Sequence, residues 1–124
     1  MKKLLVLLTL IVLGGAALAE WVEVVASERS TIYVDPATIE KRGDIRRFLS
    51  LTDQREPDKD GNMSHRNIEE HNCKEERYRS FQAEYFSGKM GTGTLTRTNT
   101  QPTTWRFAPP ESVGLEIMKF VCTR

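Results

Sequence analysis

The chain contains two cysteines, Cys73 and Cys122, which lie 49 residues apart. In an oxidising compartment, an even number of cysteines in a short chain is typical of a disulfide framework. A cross-link that closes a loop of this length stabilises the fold by about 4 kcal/mol, because it restricts the unfolded chain. Redox pairs usually occur as C-x-x-C, which is absent, and a zinc site would need His65 and His71 as its other ligands. The spacing therefore favours a structural disulfide.

The first residues predict that the chain reaches such a compartment. Two lysines precede an apolar run, residues 4–13, and an Ala-Leu-Ala sequence ends at Ala19. This order is typical of a cleavable signal peptide, residues 1–19, with cleavage between Ala19 and Glu20. The apolar run is shorter than the roughly 20 residues that span a bilayer. We therefore expect one exported domain, residues 20–124, without a membrane span.

The charge of this domain excludes one class of partner. Loss of the signal peptide, with its two lysines, changes the formal net charge from +1 to −1. Dedicated nucleic-acid binders usually carry a clear basic excess, so we expect no nucleic-acid partner.

Alternating apolar positions and β-branched residues predict that most of the domain forms strands. The second strand is expected to end at Asp35-Pro36, where Pro36 begins a short helical turn that Ile39 closes onto the core. The fifth strand begins with a charged stretch that also suits a helix. Strands are predicted over residues 21–26, 31–35, 45–53, 63–71, 73–86 and 94–98.

The last segment has the strongest helical pattern of the chain. Two prolines and Ser112 precede an apolar stripe at helical spacing: Val113, Ile117, Met118, Val121 and Cys122. Such a stripe needs an apolar surface to cover. We therefore predict an α+β fold: a single antiparallel sheet of about five or six strands, with this helix packed on one face and tied to it by the disulfide.

Four arginines are the candidate partner-binding residues. Neighbouring positions on a strand point to opposite faces, so Arg46 and Arg47 should diverge, whereas Arg77 and Arg79 should point the same way. Arginines on the uncovered face would suit an anionic partner, such as a sulfated glycan or an acidic protein surface. The alternative is a solvated face on which arginines pair across strands with the available glutamates, Glu75, Glu76 and Glu84.

Other candidate motifs favour turns over chemistry. Residues 56–62 alternate carboxylates before a glycine, as calcium loops do, but Glu replaces the first Asp and Asn67 stands at the twelfth position. A turn explains this segment better. His65 and His71 fit no metal or haem motif, and we expect them to be exposed polar residues. No nucleophile motif or acid–base pair stands out, so we expect no catalytic residue, no metal, no cofactor and no enzyme activity.

The order of these features resembles the surface-adhesin protein E family of Gram-negative bacteria. An early tryptophan precedes Ile-Tyr-Val-Asp at residues 32–35, Cys73 leads into Arg-Tyr-Arg, and Met-Gly-Thr-Gly follows at residues 90–93. Trp105, Pro-Pro-Glu-Ser at residues 109–112 and a terminal helix that ends in Val-Cys complete the pattern. The resemblance covers nearly the whole predicted mature chain and implies an antiparallel sheet with a disulfide-tied C-terminal helix.

The resemblance also implies a function. It predicts a non-catalytic envelope protein, in the periplasm or on the cell surface, that adheres to host cells or extracellular-matrix glycoproteins. Two positions differ from the family pattern: Glu20 stands where a lipidated member carries cysteine, and Asn72 replaces an acidic residue before the first cysteine. We therefore expect a protein without a lipid anchor. The alternative is a periplasmic protein that binds a small ligand or another envelope protein, and exposed sheet edges would allow a dimer.

Overall fold

The computed structural model describes residues 19–124. The predicted signal peptide lies outside these residues except for Ala19, so its structure is not described. Within residues 19–124, no helix is long and apolar enough to cross a membrane.

One antiparallel sheet of seven strands forms the body of the described chain. The first six strands lie side by side in sequence order, and the short seventh strand pairs with β5. This meander confirms the predicted sheet. The strands are β1 Val22–Ala26, β2 Ser30–Arg42, β3 Ile45–Gln54, β4 Ser64–Asn72, β5 Arg77–Phe86, β6 Leu95–Asn99 and β7 Arg106–Phe107.

The predicted end of the second strand at Pro36 is wrong. The pairing of β2 with β3 shifts register between Asp35 and Glu40 and then resumes. At this bulge the Asp35 carboxylate accepts a hydrogen bond from the Ala37 backbone N–H, and the Thr38 hydroxyl accepts one from the Leu49 backbone N–H. Strands tolerate proline at such bulges, because a residue there need not donate to the ladder. Side chains therefore replace the lost backbone bonds, and the strand continues.

The charged stretch after Cys73 is a turn and not the start of β5. The Asn72 side-chain oxygen accepts hydrogen bonds from the backbone N–H groups of Lys74 and Glu75, and Glu76 adopts a φ of +55°. Asn side chains commonly organise turns in this way. The strand therefore begins at Arg77, four residues after the cysteine.

The predicted helix is confirmed as α1, Val113–Cys122. The Ser112 hydroxyl accepts a hydrogen bond from the Leu115 backbone N–H, which caps one of the free donors of the first turn. Ile117, Met118 and Val121 are buried, and the core also contains Val34 and Phe48 from the sheet. Val113 departs from the predicted stripe, because it is 37% exposed.

The predicted disulfide joins the end of α1 to the turn before β5. The Cα atoms of Cys73 and Cys122 lie 5.9 Å apart, and their sulfur atoms are bonded. The helix is therefore held to one face of the sheet, which we call the helix face.

The opposite face, which we call the open face, is covered at one end. A 3₁₀ turn, Lys89–Gly91, lies over the fully buried Leu51. Its backbone is anchored by side chains of the sheet: the Met90 N–H donates to Asp53, and the Gly91 N–H donates to Ser64. Within residues 19–124, no comparable turn covers the other end of the open face, near the start of β5.

Candidate functional site

The four predicted arginines separate between the two faces. Arg46 lies on the helix face, is 8% exposed and donates to the Gly43 carbonyl at 3.0 Å. Arg47 and Arg79 lie on the open face, because both are cross-strand partners of Glu70. Arg77 precedes Arg79 by two positions, shares its face and is exposed. The structure therefore brings Arg47 and Arg79 together and leaves Arg46 out of their reach.

Glu70 holds these two guanidinium groups. Arg47 donates from Nε and Nη2 to one carboxylate oxygen of Glu70, at 3.0 and 2.8 Å. Arg79 donates from Nε to the other oxygen at 2.8 Å. Ionised donors and acceptors make shorter and stronger hydrogen bonds than neutral ones. The result is a fixed Arg–Glu–Arg row across β3, β4 and β5.

The pKa of Glu70 reflects this arrangement. Burial of the carboxyl acts to raise the pKa, but the hydrogen bonds and charges of Arg47 and Arg79 together outweigh that effect, so the pKa lies below its usual value. Glu70 therefore stays ionised at neutral pH.

Aromatic rings support the two arginines. Phe81 is the extra residue of a bulge in β5, where Ser80 and Gln82 pair with successive residues of β4. The Arg47 guanidinium carbon lies 4.2 Å from the Phe81 ring centre, and that of Arg79 lies 4.6 Å from the Trp105 ring centre. Both contacts have cation–π geometry. We call Arg47, Glu70, Arg79, Phe81 and Trp105 the arginine–aromatic cluster.

A second ion pair lies further along the same face. Arg66 donates to Glu84 at 2.6 and 3.0 Å. Between this pair and the arginine–aromatic cluster, Leu49 and Ile68 are partly buried cross-strand neighbours that line shallow depressions of about 230 and 290 Å³. The open face thus has an apolar centre with arginines on both sides. Arginine and aromatic residues are enriched in the energetically dominant parts of protein interfaces.

The expectation that His71 is exposed is wrong. Its ring is fully buried on the helix face, stacks on Tyr78 and packs against Phe48. Its Nε2 atom lies 3.1 Å from one carboxylate oxygen of Glu69, and the Ser50 hydroxyl donates to the other oxygen. In catalytic triads the histidine lies between the serine and the carboxylate, so that it can accept the hydroxyl proton. Here the carboxylate is central, and the arrangement is that of a buried polar network.

His65 is partly buried and not freely exposed. Its Nδ1 atom lies 3.1 Å from the Asn67 side-chain nitrogen. Burial is the main reason why the pKa of His65 is lowered, although the hydrogen bond with Asn67 and the charge of Glu69 oppose this change. His65 is therefore neutral at pH 7.

The calcium-like segment forms a turn organised by one carboxylate. Asp58 accepts hydrogen bonds from the backbone N–H groups of Asp60 and Asn62, both at 2.9 Å. Its pKa is lowered chiefly by the bond from Asn62. Within the part of the chain that the structure describes, no three metal-ligating side chains lie close enough to hold an ion.

Sequence reasoning did not identify Glu70, Phe81 or Trp105 as members of a site. Glu70 and Phe81 stand in predicted strands, but their partners across the sheet depend on register. Trp105 stands just before β7, a strand that was not predicted. The alternation of Arg77 and Arg79 was the available signal, because it placed two cations on one face.

Comparison with known proteins gives the family. The family model described as surface-adhesin protein E matches residues 21–123, which is nearly the whole described chain. The chain belongs to the surface-adhesin protein E family. The resemblance inferred from the sequence is thus confirmed, and the chain is an adhesin-like envelope protein.

Solved structures of the surface-adhesin protein E family share this fold. The selenomethionine form of Haemophilus influenzae protein E has a TM-score of 0.63 and 14% identity, and the match covers 83% of this chain and 85% of that one. Another structure of Haemophilus influenzae protein E has a TM-score of 0.60 and 13% identity, with 83% of each chain covered. No curated protein matches the chain in sequence.

Proposed function

We propose that this chain is an exported, non-catalytic binding module of the Gram-negative envelope, which contacts an anionic partner through the arginine–aromatic cluster. A partner of this kind is an acidic or sulfated component of the host cell surface or the extracellular matrix. The observation that carries the proposal is the arrangement of Arg47 and Arg79, which Glu70 and two aromatic rings hold on the uncovered face.

This arrangement suits binding because the arginines are ordered before a partner arrives. The two guanidinium groups carry two positive charges against one from Glu70, so the cluster keeps a net positive charge. The side chains of Arg47 and Arg79 are 29% and 27% exposed, which leaves donors accessible. Preorganised side chains lose less conformational entropy on binding. The aromatic rings and the apolar pair Leu49 and Ile68 supply contact area beside the charges.

The test is solid-phase binding of the exported protein to heparin and to a panel of purified matrix glycoproteins, at low and high salt. We expect binding that weakens at high salt, because exposed charges are screened. Arg47→Gln should weaken it about tenfold, which corresponds to about 1.4 kcal/mol. Arg124→Gln is the matched control, since Arg124 is an exposed arginine that donates to the Phe120 carbonyl at the end of α1, on the helix face. No binding at either salt concentration contradicts the proposal.

The alternative, recognition of a small ligand or another envelope protein in the periplasm, is favoured by a separate feature. A groove of about 350 Å³ lies on the helix face between α1 and strands β4 and β5. Location separates the two functions. Release by osmotic shock indicates the periplasm, whereas protease sensitivity in intact cells indicates the cell surface.

A further inference from the structure

The groove on the helix face has the size and composition of a ligand site. The first turns of α1 form one wall, and alternate residues of β4, His65, Asn67 and Glu69, form the floor. Ser80 and Arg106 contribute to the far side. Ligand pockets in proteins usually enclose about 300–1,000 Å³ and contain a few converging polar groups.

The groove exists because apolar packing ends halfway along the helix. Val34, Phe48 and Val121 fill the space beneath the second half of α1. At the beginning of α1, Gly114 rests on the Tyr78 ring, where a Cβ atom would lie 2.9 Å from Tyr78. The helix therefore approaches β5 closely at one point, and the polar side chains of β4 beside it are not covered by apolar residues of α1.

The floor of the groove is held in place by hydrogen bonds beneath it. Ser50 and His71 occupy the two carboxylate oxygens of Glu69, and Asn67 bonds to His65. Each of the three floor residues can form further hydrogen bonds. The Glu69 carboxylate oxygens each accept several, the Asn67 amide both donates and accepts, and His65 has a second ring nitrogen. The groove thus offers donors and acceptors at fixed positions.

The charges around the groove do not select for an ion of either sign. Glu69 is the acidic residue that lines it. Arg106 and Arg79 are the basic residues, and the Arg79 guanidinium is engaged by Glu70 on the open face. Tyr78, whose ring stacks on His71, also lines the groove and adds an aromatic surface. A neutral ligand rich in hydroxyl groups fits this setting best, because each hydroxyl both donates and accepts a hydrogen bond.

A neighbouring depression extends the site. It encloses about 590 Å³, is lined by residues such as Thr52, Gln54 and Asp58, and shares His65 with the groove. We propose that the groove binds a neutral saccharide of at least two sugar units, with hydroxyl groups bonded to His65, Asn67 and Glu69. This site concerns the alternative, small-ligand function and does not depend on the arginine–aromatic cluster.

The test is titration of the isotope-labelled wild-type protein with two neutral disaccharides, maltose and N,N′-diacetylchitobiose, followed by backbone amide NMR. We expect that at least one disaccharide causes saturable chemical-shift changes in the backbone amides of residues 65–69 and of the start of α1. Val113→Trp, which fills the groove from a 37% exposed position, and Asn67→Ala should each weaken binding at least tenfold. Arg47→Gln, on the open face, should leave the saccharide affinity unchanged.

Three results would overturn the proposal: no saturable shifts with either disaccharide, shifts confined to the open face, or unchanged affinity in both groove variants. The wild-type titration decides the first two without any variant. Thermal melting of each variant shows whether it folds, and Asn67→Ala, which removes only a side-chain amide, replaces Val113→Trp if the larger residue disrupts the helix. Loss of heparin binding in Arg47→Gln with intact saccharide binding separates this site from the function proposed above.

Discussion

The helix face and the open face of the sheet are stabilised by different interactions, although neighbouring residues of one strand serve both. Phe48 is buried beneath α1, where each large apolar side chain contributes about 2 kcal/mol by leaving water. Arg47, the preceding residue, is held on the open face by Glu70 and Phe81 and stays partly exposed. The helix face therefore maintains the fold, while the open face keeps charged groups ordered but accessible.

The largest expected effect on stability comes from disrupting the apolar packing of α1 on the helix face. Ile117→Asp should lower the free energy of unfolding by about 5 kcal/mol, because it removes buried apolar contacts and places a carboxylate in the core. Denaturant unfolding measures the change. Val113→Asp is the matched control on the same helix: Val113 is 37% exposed and lies in the first turn, where a carboxylate is tolerated, so the change should be under about 1 kcal/mol. Equal effects of the two variants would mean that α1 does not pack as described.

The disulfide should be the next strongest contribution to the helix face. Cys73→Ser and Cys122→Ser should each lower stability by about 4 kcal/mol, because both open the same loop. Thermal melting under oxidising conditions measures the loss, and the reduced wild-type protein should melt close to the two variants. Unchanged melting of both variants would contradict the role of the cross-link.

On the open face we expect a smaller effect from the central carboxylate. Glu70→Gln should lower stability by about 2 kcal/mol, since it weakens hydrogen bonds from two charged arginines. Glu84→Gln is the control. It removes the ion pair with Arg66, which is more exposed than the pairs of Glu70, and should lower the free energy of unfolding by under about 1 kcal/mol. A larger loss in Glu84→Gln than in Glu70→Gln would show that the Arg–Glu–Arg row is not the main ionic interaction of this face.

Acid should act on the open face through Glu70. The pKa of Glu70 is lower in the folded protein than in the unfolded chain, so its stabilisation is complete above the unfolded pKa, near 4.5, and is lost as pH falls through the folded pKa. Unfolding measured between pH 5.5 and 3 should show a shallower loss of stability in Glu70→Gln than in the wild type. Identical slopes would exclude Glu70 as a cause of acid sensitivity.

The smallest effect should come from His65, at the groove on the helix face. Its folded pKa is also lowered, mainly by burial, so stability is complete above the unfolded pKa of 6.5 and declines as pH falls below it. His65→Gln should flatten the pH dependence between pH 7.5 and 5.5. A steeper dependence in the variant would mean that the protonated ring is favoured by the fold.

Much of the architecture could be predicted from local patterns. The apolar stripe of the last segment and the alternation in the strands reflect periods that each element imposes on its own sequence. The bulge at Pro36 could not be predicted, because it depends on the Thr38 hydroxyl reaching a backbone donor of the neighbouring strand. The burial of His71 likewise depends on Glu69 and Tyr78 being beside it.

The candidate site was predictable only in part. The sequence predicts that Arg46 and Arg47 point to opposite faces, and the structure agrees. Arg46 is nevertheless unsuited to the predicted group of partner-binding arginines, because it is buried on the helix face. The sequence suggests Glu75, Glu76 and Glu84 as partners, whereas Glu70 is the residue that pairs with both arginines. Cross-strand partners can be assigned only when the register is known, and a shift of one residue would move every side chain to the opposite face.

Local sequence was thus sufficient for the existence of most strands, the C-terminal helix and the choice of cysteine partners, since two cysteines permit a single pairing and periodicity is a short-range property. The folded sheet decided which side chains meet: it placed Arg47, Glu70 and Arg79 in one row and set the groove beside α1. These contacts join residues that are far apart in the chain, and their geometry comes from strand register, a bulge in β5 and the place where the helix crosses the sheet. The candidate binding surfaces of this protein are therefore properties of its tertiary structure.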